Sequence, residues 1–159
     1  MSVRVYIETS VPSAHVSTRS DAASINRRDI TRQWWDRQLP NLDAFVSENV
    51  MIELRRGQWP GQNQAIELVS PIPMLAATEE VSAVAARYIR EKLLPSDVVG
   101  DAAHLAFASV YEVDYLATWN IRHLANLNKQ RHLATINRRL GLFTPRILTP
   151  ELIWMEEES

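Results

Sequence analysis

The chain has 159 residues, 46% hydrophobic and 23% charged, which suits one soluble globular domain with room for a core. It has no cysteine, which excludes disulfides and thiolate-held zinc, and its formal net charge of −2 does not mark a nucleic-acid binder. No run is long and apolar enough to span a membrane, and Met1-Ser2-Val3-Arg4 lacks the apolar core of a signal peptide, so a cytoplasmic protein is expected.

The first element is a buried strand over residues 3–7, a β-branched and aromatic run. Pro12 and the Ser/Thr-rich stretch to Ser20 predict a turn and loop, and residues 24–38 a polar helix carrying Trp34 and Trp35, stopped by Pro40. A strand over 42–46 follows, then a helix with Ser47 as N-cap, ending near Gly57. Residues 62–69 read as helix and 74–76 as a short strand. Thr78 caps a helix running to Leu94, with Glu79 and Glu80 in its favoured first turn. Pro95-Ser96-Asp97 opens a helix to about Tyr111. Residues 114–118 form a clear strand, 129–140 a helix stopped by Gly141, and 146–148 a last short strand before Pro150. Strands alternate with helices along the whole chain, which predicts one α/β domain, residues 1–159, with a mainly parallel sheet covered on both faces.

Such a sheet gathers strand ends at one edge, where these folds place their sites. Glu8 directly follows the first strand, and Asn120 follows the 114–118 strand with one residue between. Glu8 could instead be a turn acid, but Thr9 and Ser10 would serve as caps equally well. Glu53 lies on a polar helix stripe with Asn49 and Arg56, apart from Val50, Met51 and Leu54. Alone it reads more readily as an exposed glutamate paired with Arg55 or Arg56. Asp97, Asp101 and His104 form a similar stripe. Asp97 is explained by the helix dipole, whereas Asp101 sits deeper among apolar neighbours, where a lone carboxylate is costly. His104 could orient a carboxylate or be a satisfied core histidine. Converging carboxyl groups repel one another, and a hard divalent cation such as Mg²⁺ or Mn²⁺ removes that repulsion.

In this order, Tyr6-Ile7-Glu8-Thr9-Ser10, Val50-Met51-Ile52-Glu53-Leu54, Asp101-Ala102-Ala103-His104-Leu105-Ala106 and Thr118-Trp119-Asn120 resemble the motifs of the PIN domain family and its VapC-type toxins. The resemblance covers nearly the whole chain. It implies a three-layer α/β/α fold and a Mg²⁺- or Mn²⁺-dependent ribonuclease, often the toxin of a toxin–antitoxin pair. Glu8, Glu53 and Asp101 would then be metal-site acids, Asn120 the fourth catalytic position, and Ser10 and Thr118 hydrogen-bonding supports. The first position is more often Asp in that family, and the fourth is here an amide, which removes one negative charge. An antitoxin partner is implied, and a homodimer is common in the family.

Residues 121–149 carry six basic side chains and no acid, which nominates Arg122, Lys129 and Arg131 as RNA contacts, with Arg27, Arg28 and Arg32 next; the plainer reading is a solvated helix face. Trp34, Trp35 and Trp59 are candidates for a partner patch or for core. A second class of function is a catalytically weak or inactive binding module that keeps the fold. A third, an α/β hydrolase, ranks lower because no Gly-x-Ser-x-Gly elbow or phosphate-binding glycine loop is present.

Overall fold

The computed structural model describes residues 2–95 and 99–156. Five strands, β1 (Arg4–Ile7), β2 (Asp43–Ser47), β3 (Met74–Leu75), β4 (Tyr115–Ala117) and β5 (Arg146–Leu148), form one sheet in the order β3-β2-β1-β4-β5. All four pairings are parallel, as expected from the alternation of strands and helices. Among the described residues seven α-helices flank it: α1 (Ser10–His15), α2 (Ala22–Arg37), α3 (Glu48–Arg55), α4 (Gln62–Val69), α5 (Glu79–Arg90), α6 (Val99–Val110) and α7 (Leu127–Leu140). From β1 the chain winds outward through β2 to β3, crosses back through α5 and α6 to β4, and continues to β5. The strand order therefore reverses between β1 and β4. Their carboxyl ends form the crevice in which open parallel sheets bind ligands.

Where the caps are local, structure follows expectation. Ser47 Oγ accepts from Val50 N at 3.2 Å, Thr78 Oγ1 from Val81 N at 3.2 Å, and Gly141 takes a left-handed φ of 70° past α7. Two expectations need correction. The loop predicted from Pro12 is helix α1; proline is tolerated in a first turn because the early N–H groups lack intrahelical acceptors anyway. The helix predicted to reach Leu94 stops at Arg90, where Lys92 takes φ 60° and Leu93 N donates back to Tyr88 O at 3.0 Å. That closure is usually made with glycine, so no sequence signal marked it. Of the tryptophans left open between partner patch and core, Trp34 is core: it is fully buried, and its Nε1 donates to Ile153 O at 2.9 Å. Trp35 and Trp59 are half-buried against the same core.

The core lies on both sides of β1 and β4. Val5, Tyr6, Ile7, Leu116 and Ala117 are fully buried, as are Ala102, Leu105 and Ala106 of α6, whose small side chains permit close packing. Among the described residues no helix is long and apolar enough to cross a membrane.

Candidate active site

Glu8 leaves the end of β1, and its backbone N–H continues the ladder to Ala117 O of β4 at 3.0 Å. Glu8 is 6% exposed, and its carboxylate is held from three sides. Oε1 accepts from Ser10 Oγ at 2.5 Å and Thr118 Oγ1 at 2.6 Å, while Oε2 accepts from Ser10 N at 3.1 Å. Ser10 and Thr118 thus both bond the Glu8 carboxylate. Ser10 Oγ also accepts from Trp119 N at 2.8 Å, which locks the ends of β1 and β4 together.

Glu53 points inward from α3, not to solvent as a surface glutamate paired with Arg55 or Arg56 would. Its Oε1 accepts from Thr9 Oγ1 at 3.0 Å and is bonded to His104 Nε2 of α6. His104 is fully buried, and its Nδ1 meets Tyr6 Oη at 2.6 Å. Tyr6 Oη in turn lies 2.7 Å from Ser47 Oγ, the α3 cap. Burial opposes a charge on His104, but its hydrogen bond to Glu53 and the charges of Glu8, Glu53 and Asp101 outweigh burial and raise its pKa above 6.5. For Glu53, burial is outweighed by the His104 bond and charge and by Thr9, leaving the carboxyl below 4.5.

Asp101 lies near the beginning of the described part of α6. Burial, and then the charge of Glu8, push its pKa above 3.8, against opposing pulls from His104 and His123. Asn120 Nδ2 donates to Asp101 Oδ2 at 3.2 Å while its Oδ1 accepts from His123 N at 3.1 Å. The amide at the fourth position therefore turns its donor face to the acids. Asp97 lies outside the described residues.

Glu8, Glu53, Asp101, His104 and Asn120 are thus gathered at the crevice between β1 and β4. The acids are hard oxygen donors of the kind Mg²⁺ and Mn²⁺ prefer. Among the described residues no three His, Asp or Glu side chains converge tightly enough to hold an ion as they stand. Glu53 Oε2 and Asp101 Oδ1 accept no hydrogen bond among those residues, and a Cβ placed on Gly100 would lie 3.5 Å from Glu53 Oε2, so that oxygen faces the start of α6. This donor set fits an ion that keeps much of its water, as Mg²⁺ usually does.

The basic candidates separate. Arg122 lines a groove of about 830 Å³ that begins at Glu8 and Asn120. Lys129 does not reach it, because its Nζ donates to Leu93 O. Arg131 is exposed on α7 and does not line it either. Tyr6, Thr9 and His123 were not singled out from sequence. The available signal was Tyr6 itself, since a phenol inside a buried strand needs a hydrogen-bond partner.

Solved structures share this architecture. VapC20 from Mycobacterium tuberculosis, a sarcin–ricin loop cleaving toxin, matches with a TM-score of 0.57 at 16% identity over 75% of this chain and 92% of that one. FitAcB from Neisseria gonorrhoeae matches with a TM-score of 0.59 at 14% identity over 92% of this chain and 98% of that one. VapBC2 from Rickettsia felis, bound to a DNA fragment from its promoter, matches with a TM-score of 0.58 at 12% identity over the same shares, 92% and 98%. The chain has the PIN-like fold. No family model matches this PIN-like chain, and no curated protein matches it by sequence. In the PIN-like frame the expected three-layer α/β architecture stands, and the acids sit where its sheet order reverses.

Proposed function

We propose that this PIN-like domain is a Mg²⁺- or Mn²⁺-dependent endoribonuclease, acting as the toxin of a toxin–antitoxin pair. The observation that carries the reading is the meeting of Glu8, Glu53 and Asp101 at the β1–β4 crevice, where Thr118 bonds Glu8, Asn120 two residues on bonds Asp101, and Thr9 beside Glu8 bonds Glu53. A structural role would not need three mutually repelling carboxyl groups in one place. A bound divalent ion would supply Lewis acidity toward a phosphoryl group and its attacking water.

The chain's own residues divide the remaining work. Glu8, clamped by Ser10 and Thr118, and Glu53, clamped by Thr9 and His104, would hold the ion in fixed orientation. Asp101, which accepts a single hydrogen bond on Oδ2 among the described residues, would offer its free Oδ1 to the ion as the third metal-site acid. Asn120 steadies Asp101 without adding charge. An antitoxin would act by covering the groove that starts at Glu8 and Asn120, and a homodimer is compatible with the same arrangement.

The test is cleavage of single-stranded RNA by the purified chain in Mg²⁺ or Mn²⁺, with chelator and Asp101→Asn as controls. Metal-dependent cutting lost in both controls supports the reading; cutting that survives either one sinks it. The second reading, a binding module without cleavage, is favoured by the amide at Asn120. RNA binding with no cutting under any divalent ion would select it.

A further inference from the structure

The groove beside Glu8 is built by α1, the α1–α2 loop, α2 and the β4 end, and it carries three arginines, Arg19, Arg27 and Arg122. Arg27 is held over the Trp119 ring, its guanidinium carbon 5.4 Å from the ring centroid. One turn along α2, Thr31 Oγ1 accepts from Trp119 Nε1 at 2.9 Å. Helix α2 therefore grips the residue that lies between Thr118, bonded to Glu8, and Asn120, bonded to Asp101. Among the described residues the Arg27 and Arg122 guanidinium groups donate to no carboxylate or carbonyl. By contrast, Arg28 pairs with Asp29, Arg32 donates to His15 O at 2.8 Å, Lys129 donates to Leu93 O, and Arg139 pairs with Glu91. The cations still available beside the acids thus come from the α1–α2 loop, α2 and the segment after β4, not from α7. Arg19 faces Asp21 at 3.3 Å, but both are exposed, and such a pair holds weakly.

We infer that Arg19, Arg27 and Arg122 form a phosphate-binding track for one RNA strand, leading over Trp119 to the acids. The inference rests on the ribonuclease reading for its substrate class. The groove, of about 830 Å³, has room for a short length of strand. Trp119 is 7% exposed and covered by Arg27, so bases do not stack there and the contacts are to backbone phosphate.

The experiment measures binding of a labelled single-stranded RNA to the full chain, in chelator, across a salt series. Replacing Arg19, Arg27 and Arg122 together by Gln is expected to lower the magnitude of the log–log salt slope by about 2, at roughly 0.7 per lost contact. Replacing Lys129, Arg131 and Arg138 by Gln is expected to leave it unchanged. An unchanged slope in the groove variant, or a loss confined to the α7 variant, overturns the inference. If the groove variant does not melt cooperatively, the exposed Arg122→Gln variant decides alone: a fall of about 0.7 supports the track, and no fall overturns it. A polyglutamate peptide that needs the three arginines while RNA does not would assign the groove to an acidic protein partner and also overturn the inference. Because binding is read without metal, RNA held on these arginines but never cut would sink only the ribonuclease reading. RNA cut normally by the groove variant would sink only the track.

Discussion

The acidic crevice and the arginine groove adjoin at Glu8 and Asn120 but are built to different rules. In the crevice, Glu8 and Glu53 are gripped by hydroxyl groups, a backbone amide and a buried imidazole, all supplied by strand ends and helix faces. In the groove, Arg19 and Arg122 are long exposed side chains, and only Arg27 is pinned, by the face of Trp119. The contrast matches the demands. Chemistry at a phosphorus centre needs acids fixed to a fraction of an ångström, whereas a phosphate backbone can be held by charges that adapt.

The largest effect should come from the crevice and should split in sign. Asp101→Asn is expected to lower metal-dependent cleavage by more than the roughly 10–100-fold that losing an outer partner of a metal ligand costs. The same change should raise the melting temperature in chelator at pH 7, because an acid whose pKa is raised in the fold destabilises it once ionised. A lower melting temperature would mean that Asp101 is stabilised by its bond from Asn120 more than it is strained by Glu8.

Next in size is the clamp on Glu53. His104→Gln is expected to weaken Mn²⁺ affinity roughly 10–100-fold, read by calorimetry without any substrate. Unaltered affinity would detach His104 from the site and leave it a core residue. Tyr6→Phe removes a hydroxyl from between His104 and Ser47 and should cost about 1–3 kcal/mol in denaturant unfolding. A cost near zero would show that the buried partners find other bonds.

The smallest effect is a pH dependence. His104 has a raised pKa, so its contribution is complete below about 6.5 and fades as pH rises through the raised value; Glu53 has a lowered pKa, so its contribution fades as pH falls through that lowered value. The stability gap between the parent chain and His104→Gln, measured in chelator, should therefore be wider at pH 6 than well above the His104 titration. A gap that widens with pH would reverse the assignment of charge.

How much of this was legible beforehand depends on the range of the signal. Ser47, Thr78 and Gly141 act within a few residues, and each was readable as a cap. Glu8 and Asn120 were readable because a strand end fixes where the next side chain lies. Pro12 misled because its meaning depends on which turn of a helix it occupies, and Lys92 because it does a job usually given to glycine. The Glu53–His104 bond joins residues 51 apart, and the Arg27–Trp119 stack joins α2 to the end of β4. Charge composition pointed to residues 121–149, but only the approach of α2 to Trp119 shows which cations flank the acids.

Tyr6, Ser47, α3, Glu53 and His104 close on themselves. The phenol meets Ser47, Ser47 caps the helix that carries Glu53, Glu53 bonds His104, and His104 returns to the phenol. A closed circuit fails differently from a row of separate contacts. Cutting it once opens the ring but leaves its members threaded on a single path, and a second cut sets one segment adrift. Single substitutions around the circuit should therefore understate its worth, and pairs of substitutions should interact instead of adding. The rigidity of Glu53 belongs to the loop as a whole, with its anchor in the central strand of the sheet.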